Sequence, residues 1–161
     1  MIARRSIVDS LPEGPHGGSS VLEWTVNEIC IRMSLADLDR LGCLLEKVEL
    51  TPAEGVHLHI DPADLGQRLS YLGETLAIIE QEQEEGRALL RSSPPLTDET
   101  HTYFFELVLD RNEGLSLTRH AYDRVTQEQK MIDAPLTTYA LGRLIHDLKK
   151  LASGCQNDCS G

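Results

Sequence analysis

Residues 55–65 read GVHLHIDPADL, and three of their side chains have the chemistry of metal ligands. His57 and His59 lie two apart, so on an extended strand both imidazoles fall on one side, opposite Val56, Leu58 and Ile60. Two imidazoles on one face can share a divalent ion such as zinc or manganese, and the Asp61 carboxylate can join them. The same letters have a second reading. The aliphatic residues face a core, the histidines face water, and Asp61–Pro62 starts a helix with a capping carboxylate and a proline whose missing N–H is not needed there. That second reading accounts for every residue of the stretch and is the one expected. A metal site at His57, His59 and Asp61 is the alternative.

The spelling H-x-H-x-D is similar to the opening of the metallo-β-lactamase-type hydrolase signature, H-x-H-x-D-H. The match covers five residues and departs at the sixth, where Pro62 stands in place of histidine. The resemblance implies a metal-dependent hydrolase. No pattern around His101, His120 or His146 offers the further ligands, and the chain is short for that family's two-sheet sandwich. The pair also resembles the start of the amidohydrolase H-x-H, but 161 residues cannot build that family's barrel.

Other chemistry is thinner. Cys155 and Cys159 supply two of the four ligands that a structural zinc wants, in a Gly-, Asn- and Ser-rich end expected to be a mobile tail. No nucleophile elbow, phosphate-binding glycine loop or H-E-x-x-H motif occurs, which leans against an enzyme. The stretch LTRHAYDR carries Arg119, His120, Tyr122 and Arg124, and Tyr and Arg are favoured at protein interfaces. These four are the candidate partner-binding residues.

The elements that must hold these residues follow from periodicity. Residues 21–33 are β-prone. SLAD then predicts a helix capped by Ser34, with a stripe of Leu38, Leu41, Leu45 and Val48. A strand over Val56–Ile60 leads into a second, longer helix with Leu65, Leu69, Leu72, Leu76 and Ile79 in a heptad-like seam. The acidic run EQEQEEG at 80–86 reads as that helix's solvated end, with the chain stopping at Pro94–Pro95. Tyr103, Phe105, Leu107 and Leu109 alternate on one face of a strand, RNEG turns, and LSLTRHAYD returns. A further strand at 129–133 and a final helix to about Ser153, with Leu141, Leu144, Ile145, Leu148 and Leu151 inward, complete the chain. The segments 38–48 and 141–151 share leucine and arginine positions, as two amphipathic helices would.

The expected class is therefore α+β, in the order β-α-β-α-β-β-β-α, with a mostly antiparallel sheet of about five strands and helices packed on one face. Residues 1–20 read as a flexible lead-in, 21–153 as one domain and 154–161 as the tail. With 40% apolar residues the chain can bury a real core. A net charge of −11 repels phosphate backbones and speaks against nucleic acid. No stretch approaches the roughly 20 apolar residues that cross a bilayer. No signal segment is read, so a cytoplasmic location with four reduced cysteines is expected. Together these point to a small acidic, non-catalytic binding or regulatory protein, acting on a protein partner or by self-association and needing no cofactor.

Overall fold

The computed structural model describes residues 19–154. β1 (Ser20–Val26) and β2 (Ile29–Leu38) form a hairpin whose turn residues, Asn27 and Glu28, have φ of 52° and 65°. Two successive left-handed residues match the right-handed twist of the flanking strands. β3 (Gly42–Pro52) follows, then an extended segment, α1 (Pro62–Arg68) and a 3-10 turn at Leu69–Leu72. β4 (Leu76–Glu82), β5 (Arg87–Ser92), β6 (Leu96–Thr97), β7 (His101–Asp110) and β8 (Gly114–Asp123) come next. β9 (Gln129–Ile132), β10 (Ala134–Thr137) and α2 (Thr138–Gly154) close the described chain.

All ten strands belong to one antiparallel sheet, with the main path β1-β2-β3-β8-β7-β5-β4. β3 and β8 pair only from Val48–Leu117 to Leu50–Leu115. Beyond that seam they part, and the returning chain fills the gap. β9 pairs with β8 as far as Arg119–Ile132, and β10 pairs with β3 from Ala134–Leu45.

Both helices lie on the same face. Ile31, Met33, Val48, Leu50, Leu90, Leu107 and Leu117 point to that face and share one buried cluster with Leu65 and Leu69 of the first helical region and Leu141, Leu144 and Leu148 of α2. α1 packs on β4 and β5, whereas α2 packs on β1, β2, β3 and β10. The class is α+β, a mostly antiparallel sheet with two helices.

In the C-terminal third, β7, a turn at 111–113, β8, β9 and α2 stand where alternation and the leucine stripe place them, and β10 is a strand the sequence reading lacked. The first half departs further. Among the described residues, ten strands replace about five, and two α-helices replace three.

The expected helix from Ser34 to Val48 is the end of β2, a turn and most of β3. Irregularities in the β2–β3 register, at Ser34/Leu35 and Leu35/Asp37, cause the confusion. Each inserts one extra residue, so inward positions step by three, from Leu35 to Leu38 and from Leu45 to Val48, and imitate a helical period. Helix propensities differ by at most about 0.7 kcal/mol per ordinary residue. Burying one leucine is worth about 1.5–3 kcal/mol, so packing decides the outcome. The likeness between 38–48 and 141–151 therefore joins a strand–turn–strand to a helix.

The long second helix is likewise cut short. Gly73, at φ 96°, ends the 3-10 turn in a conformation that side-chain-bearing residues rarely adopt. Beyond it come Thr75 and then β4, whose Ile78 and Ile79 are β-branched and favour a strand. Leu76 still reaches the core, but Ile79 sits at a bulge and is half exposed. The acidic run spans the end of β4 and its turn into β5, not a helix terminus. Val56–Ile60 is extended without joining a ladder. Val56 N–H donates to Ala53 O at 2.9 Å, and Leu58 N–H donates to Arg111 O at 2.8 Å.

Candidate functional site

The histidine stretch keeps its alternation without a sheet partner. Leu58 is buried, Val56 and Ile60 are half-buried, and His57 and His59 face water. The two imidazole centroids are 6.4 Å apart and inclined at 76°. Asp61 Oδ1 accepts from Ala63 N–H at 3.1 Å, with Pro62 in the first turn, so the carboxylate caps α1. Among the described residues, no three His, Cys, Asp or Glu side chains converge as a metal site requires. His59 also lines a pocket of about 250 Å³ with Arg87 and Arg111. Cys155, Cys159 and the lead-in before residue 19 lie outside the described residues.

The two described cysteines, Cys30 and Cys43, are free thiols. Burial pushes the Cys43 thiol up to about 11. Burial, then a hydrogen bond to the Glu23 carboxylate at 3.4 Å, raises Cys30. Neither is poised as a thiolate nucleophile.

Strand alternation divides the four partner-binding candidates. Arg119 points to the helix-covered face, where its Nη1 donates to Glu74 Oε2 at 2.8 Å and its guanidinium lies 4.6 Å from the Phe105 ring centroid. His120 points to the other face with Phe104, its register partner; their rings stack at 5.6 Å. Tyr122, two residues on, shares the side of His120 and is half-buried. Arg124, past the end of β8, donates to His101 O at 2.7 Å, to Thr102 Oγ1 at 3.0 Å and to Asp98 O. It is committed to pinning the loop before β7.

Asp98 organises that loop. Its Oδ1 accepts from His101 N–H at 2.6 Å and Thr100 N–H at 2.9 Å, and its Oδ2 accepts from Tyr103 O–H at 2.7 Å. The backbone donor of His101 foremost, then the Tyr103 hydroxyl and Thr100 N–H, hold this carboxyl far below the usual range.

The face opposite the helices carries a polar and aromatic row. Arg91 lies 5.4 Å from the Phe104 ring centroid and donates to Glu106 at 2.9 Å. His120 Nε2 is 2.9 Å from Thr118 Oγ1, and its Nδ1 is 3.3 Å from the Gln129 amide. Phe104 is buried although neither helix reaches it, because Arg91 and His120 flank its ring. Val108 is 43% exposed further along the same row of β7. Phe104 and Arg91 are not marked by any motif. Their signal is the doubled phenylalanine at 104–105, which on a strand must send one ring to each face.

The arrangement brings the Thr118 hydroxyl to His120 at 2.9 Å and the Thr100 hydroxyl to His101 at 2.6 Å, and neither described thiol is poised for attack. What it offers is an uncovered sheet surface with cationic, aromatic and aliphatic groups fixed on rigid strands. No protein-family model, no curated protein and no solved structure matches this chain.

Proposed function

We propose that the chain is a small acidic, non-catalytic binding or regulatory protein that acts in the cytoplasm through protein–protein contacts. Its contact surface is the uncovered face of the sheet. One observation carries the reading: both helices pack on the same face, and among the described residues no second layer covers the other. A lone face of β-sheet can be simply solvated. Here it also displays Val108, Met131 and Leu44, which are 43%, 58% and 37% exposed, beside the Arg91–Phe104–His120 row. Aromatic, arginine and methionine side chains are the types enriched where proteins meet.

The net charge of −11 supports a protein partner over nucleic acid. No helix is long and apolar enough to cross a membrane among the described residues. The free thiols at Cys30 and Cys43 accord with a reducing compartment.

Light scattering after size exclusion, combined with affinity capture, tests this reading on wild type and Val108→Glu. The expected result is self-association or a captured protein that Val108→Glu removes while the thermal midpoint stays near wild type. A strictly monomeric chain that captures nothing, or capture that is indifferent to the uncovered face, overturns it.

A further inference from the structure

One corner of the uncovered face is a groove of about 470 Å³ between the tip of the β2–β3 hairpin and β10. Leu41, Leu44, Pro135 and Leu136 supply its apolar wall, and Asp37 and Asp39 stand beside them. We propose that this groove receives a segment of a partner protein in which an apolar side chain is flanked by lysine or arginine. The proposal rests on the protein-binding reading and names the chemistry of its partner.

The wall is built in advance. Leu41 is 84% exposed, yet its backbone is fixed from three directions. Asp39 Oδ1 accepts from Leu41 N–H at 2.7 Å and from Gly42 N–H at 3.0 Å. Leu41 O accepts from Thr138 N–H at 3.1 Å, and Arg40 O accepts from the Thr138 hydroxyl at 2.8 Å. Gly42 presses so closely on Leu136 that an added Cβ would lie 2.2 Å from its carbonyl oxygen. A side chain held in water by an ordered backbone costs little further ordering when a ligand covers it.

Charge selects the occupant. Asp39 spends one oxygen on the turn and Asp37 spends one on Leu38 N–H at 2.9 Å. Among the described residues neither carboxylate forms an ion pair, so both remain free to receive a cation at the rim. The one cation in the turn, Arg40, leaves this end acidic, in a molecule whose net charge is −11. A second copy would bring the same carboxylates and the same net charge, so it is a poorer fit than a basic partner.

A membrane-bound array of short peptides tests this on the full chain. A central Leu, Phe or Ser is flanked by Lys, Glu or Ser. The groove requires retention by Leu or Phe flanked by Lys only, weakening as salt rises. Leu44→Glu and Asp37→Lys each lower the affinity by roughly tenfold or more, and Gln67→Ala, exposed on α1 on the opposite face, leaves it unchanged. Leu41→Ser, at a largely exposed position, serves should Leu44→Glu fail to fold. Equal retention of Glu-flanked peptides, or binding indifferent to the groove variants, overturns the proposal. So does a peptide-independent dimer that Leu44→Glu dissolves, which would assign the groove to self-association. Binding lost with Val108→Glu but kept in Leu44→Glu sinks the groove and leaves the wider reading of the uncovered face standing. A blank array, with no capture or self-association sensitive to either variant, ends both.

Discussion

Arg119 and Glu74 meet at 2.8 Å on the helix-covered face of the sheet, joining β8 to the loop behind α1. Their side chains are 9% and 13% exposed, and Glu74 Oε1 is buried without a hydrogen-bond partner. Breaking such a pair leaves one charge stranded, which costs more than the pair itself contributes. Glu74→Leu is expected to destabilise the protein by about 3 kcal/mol, whereas Arg119→Met with Glu74→Leu recovers much of that loss. Urea unfolding of wild type, both single variants and the double variant measures the cycle. A double variant no more stable than Glu74→Leu refutes it.

Acid should loosen the loop before β7 through Asp98. Its folded-state pKa is depressed by the His101 and Thr100 amides and the Tyr103 hydroxyl. A depressed carboxylate stabilises the fold fully above its unfolded pKa of about 4, and the contribution fades as pH falls below that value. Asp98→Asn is therefore less stable than wild type at neutral pH, and the gap narrows as the solution is acidified through the unfolded pKa. Thermal midpoints across that range check the sign. A gap that widens in acid is the contrary outcome.

At the histidine stretch, the cap and the imidazoles separate cleanly. Asp61→Ala removes the acceptor of Ala63 N–H and should cost about 1 kcal/mol. His57→Ala with His59→Ala touches only exposed side chains and should stay within about 0.5 kcal/mol of wild type. Untagged protein incubated with zinc or manganese and desalted is expected to retain far less than one equivalent. Stoichiometric metal lost in the double histidine variant would instead restore the H-x-H-x-D site.

Leu41 and Leu45 test the register of β2 and β3. On a helix they would share one stripe. Here Leu41 is 84% exposed and Leu45 is 3% exposed. Leu41→Ala should change stability by less than about 0.5 kcal/mol, and Leu45→Ala should cost about 2–5 kcal/mol. Similar losses at both positions would contradict the hairpin.

This contrast also shows how far the sequence could be read. Alternation in HTYFFELVLD and the leucine stripe of α2 were legible because each keeps one period from end to end. β2 and β3 change period at their bulges, and α1 yields to β4 at Gly73. A window spanning such a change reads the average and returns a helix. The candidate site suffered differently. Alternation in LTRHAYDR implied that Arg119 and His120 face opposite sides, but which side is covered depends on helices distant in the chain. Nothing local marks Glu74 as the partner of Arg119, 45 residues away. The groove beside Leu41 arises only when β10 is laid against β3.

α2 covers strands that lie far before it in the sequence. Ile29, Ile31, Met33 and Val48 are made before β3 ends at Pro52, but Leu141, Leu144 and Leu148, which share their buried cluster, are made only after every described strand. During synthesis that apolar surface waits until β4 to β10 have been made before its helix can roof it. Folding of β1, β2 and β3 is therefore tied to synthesis of α2, and the nascent protein passes through a long interval in which a chaperone has something to hold.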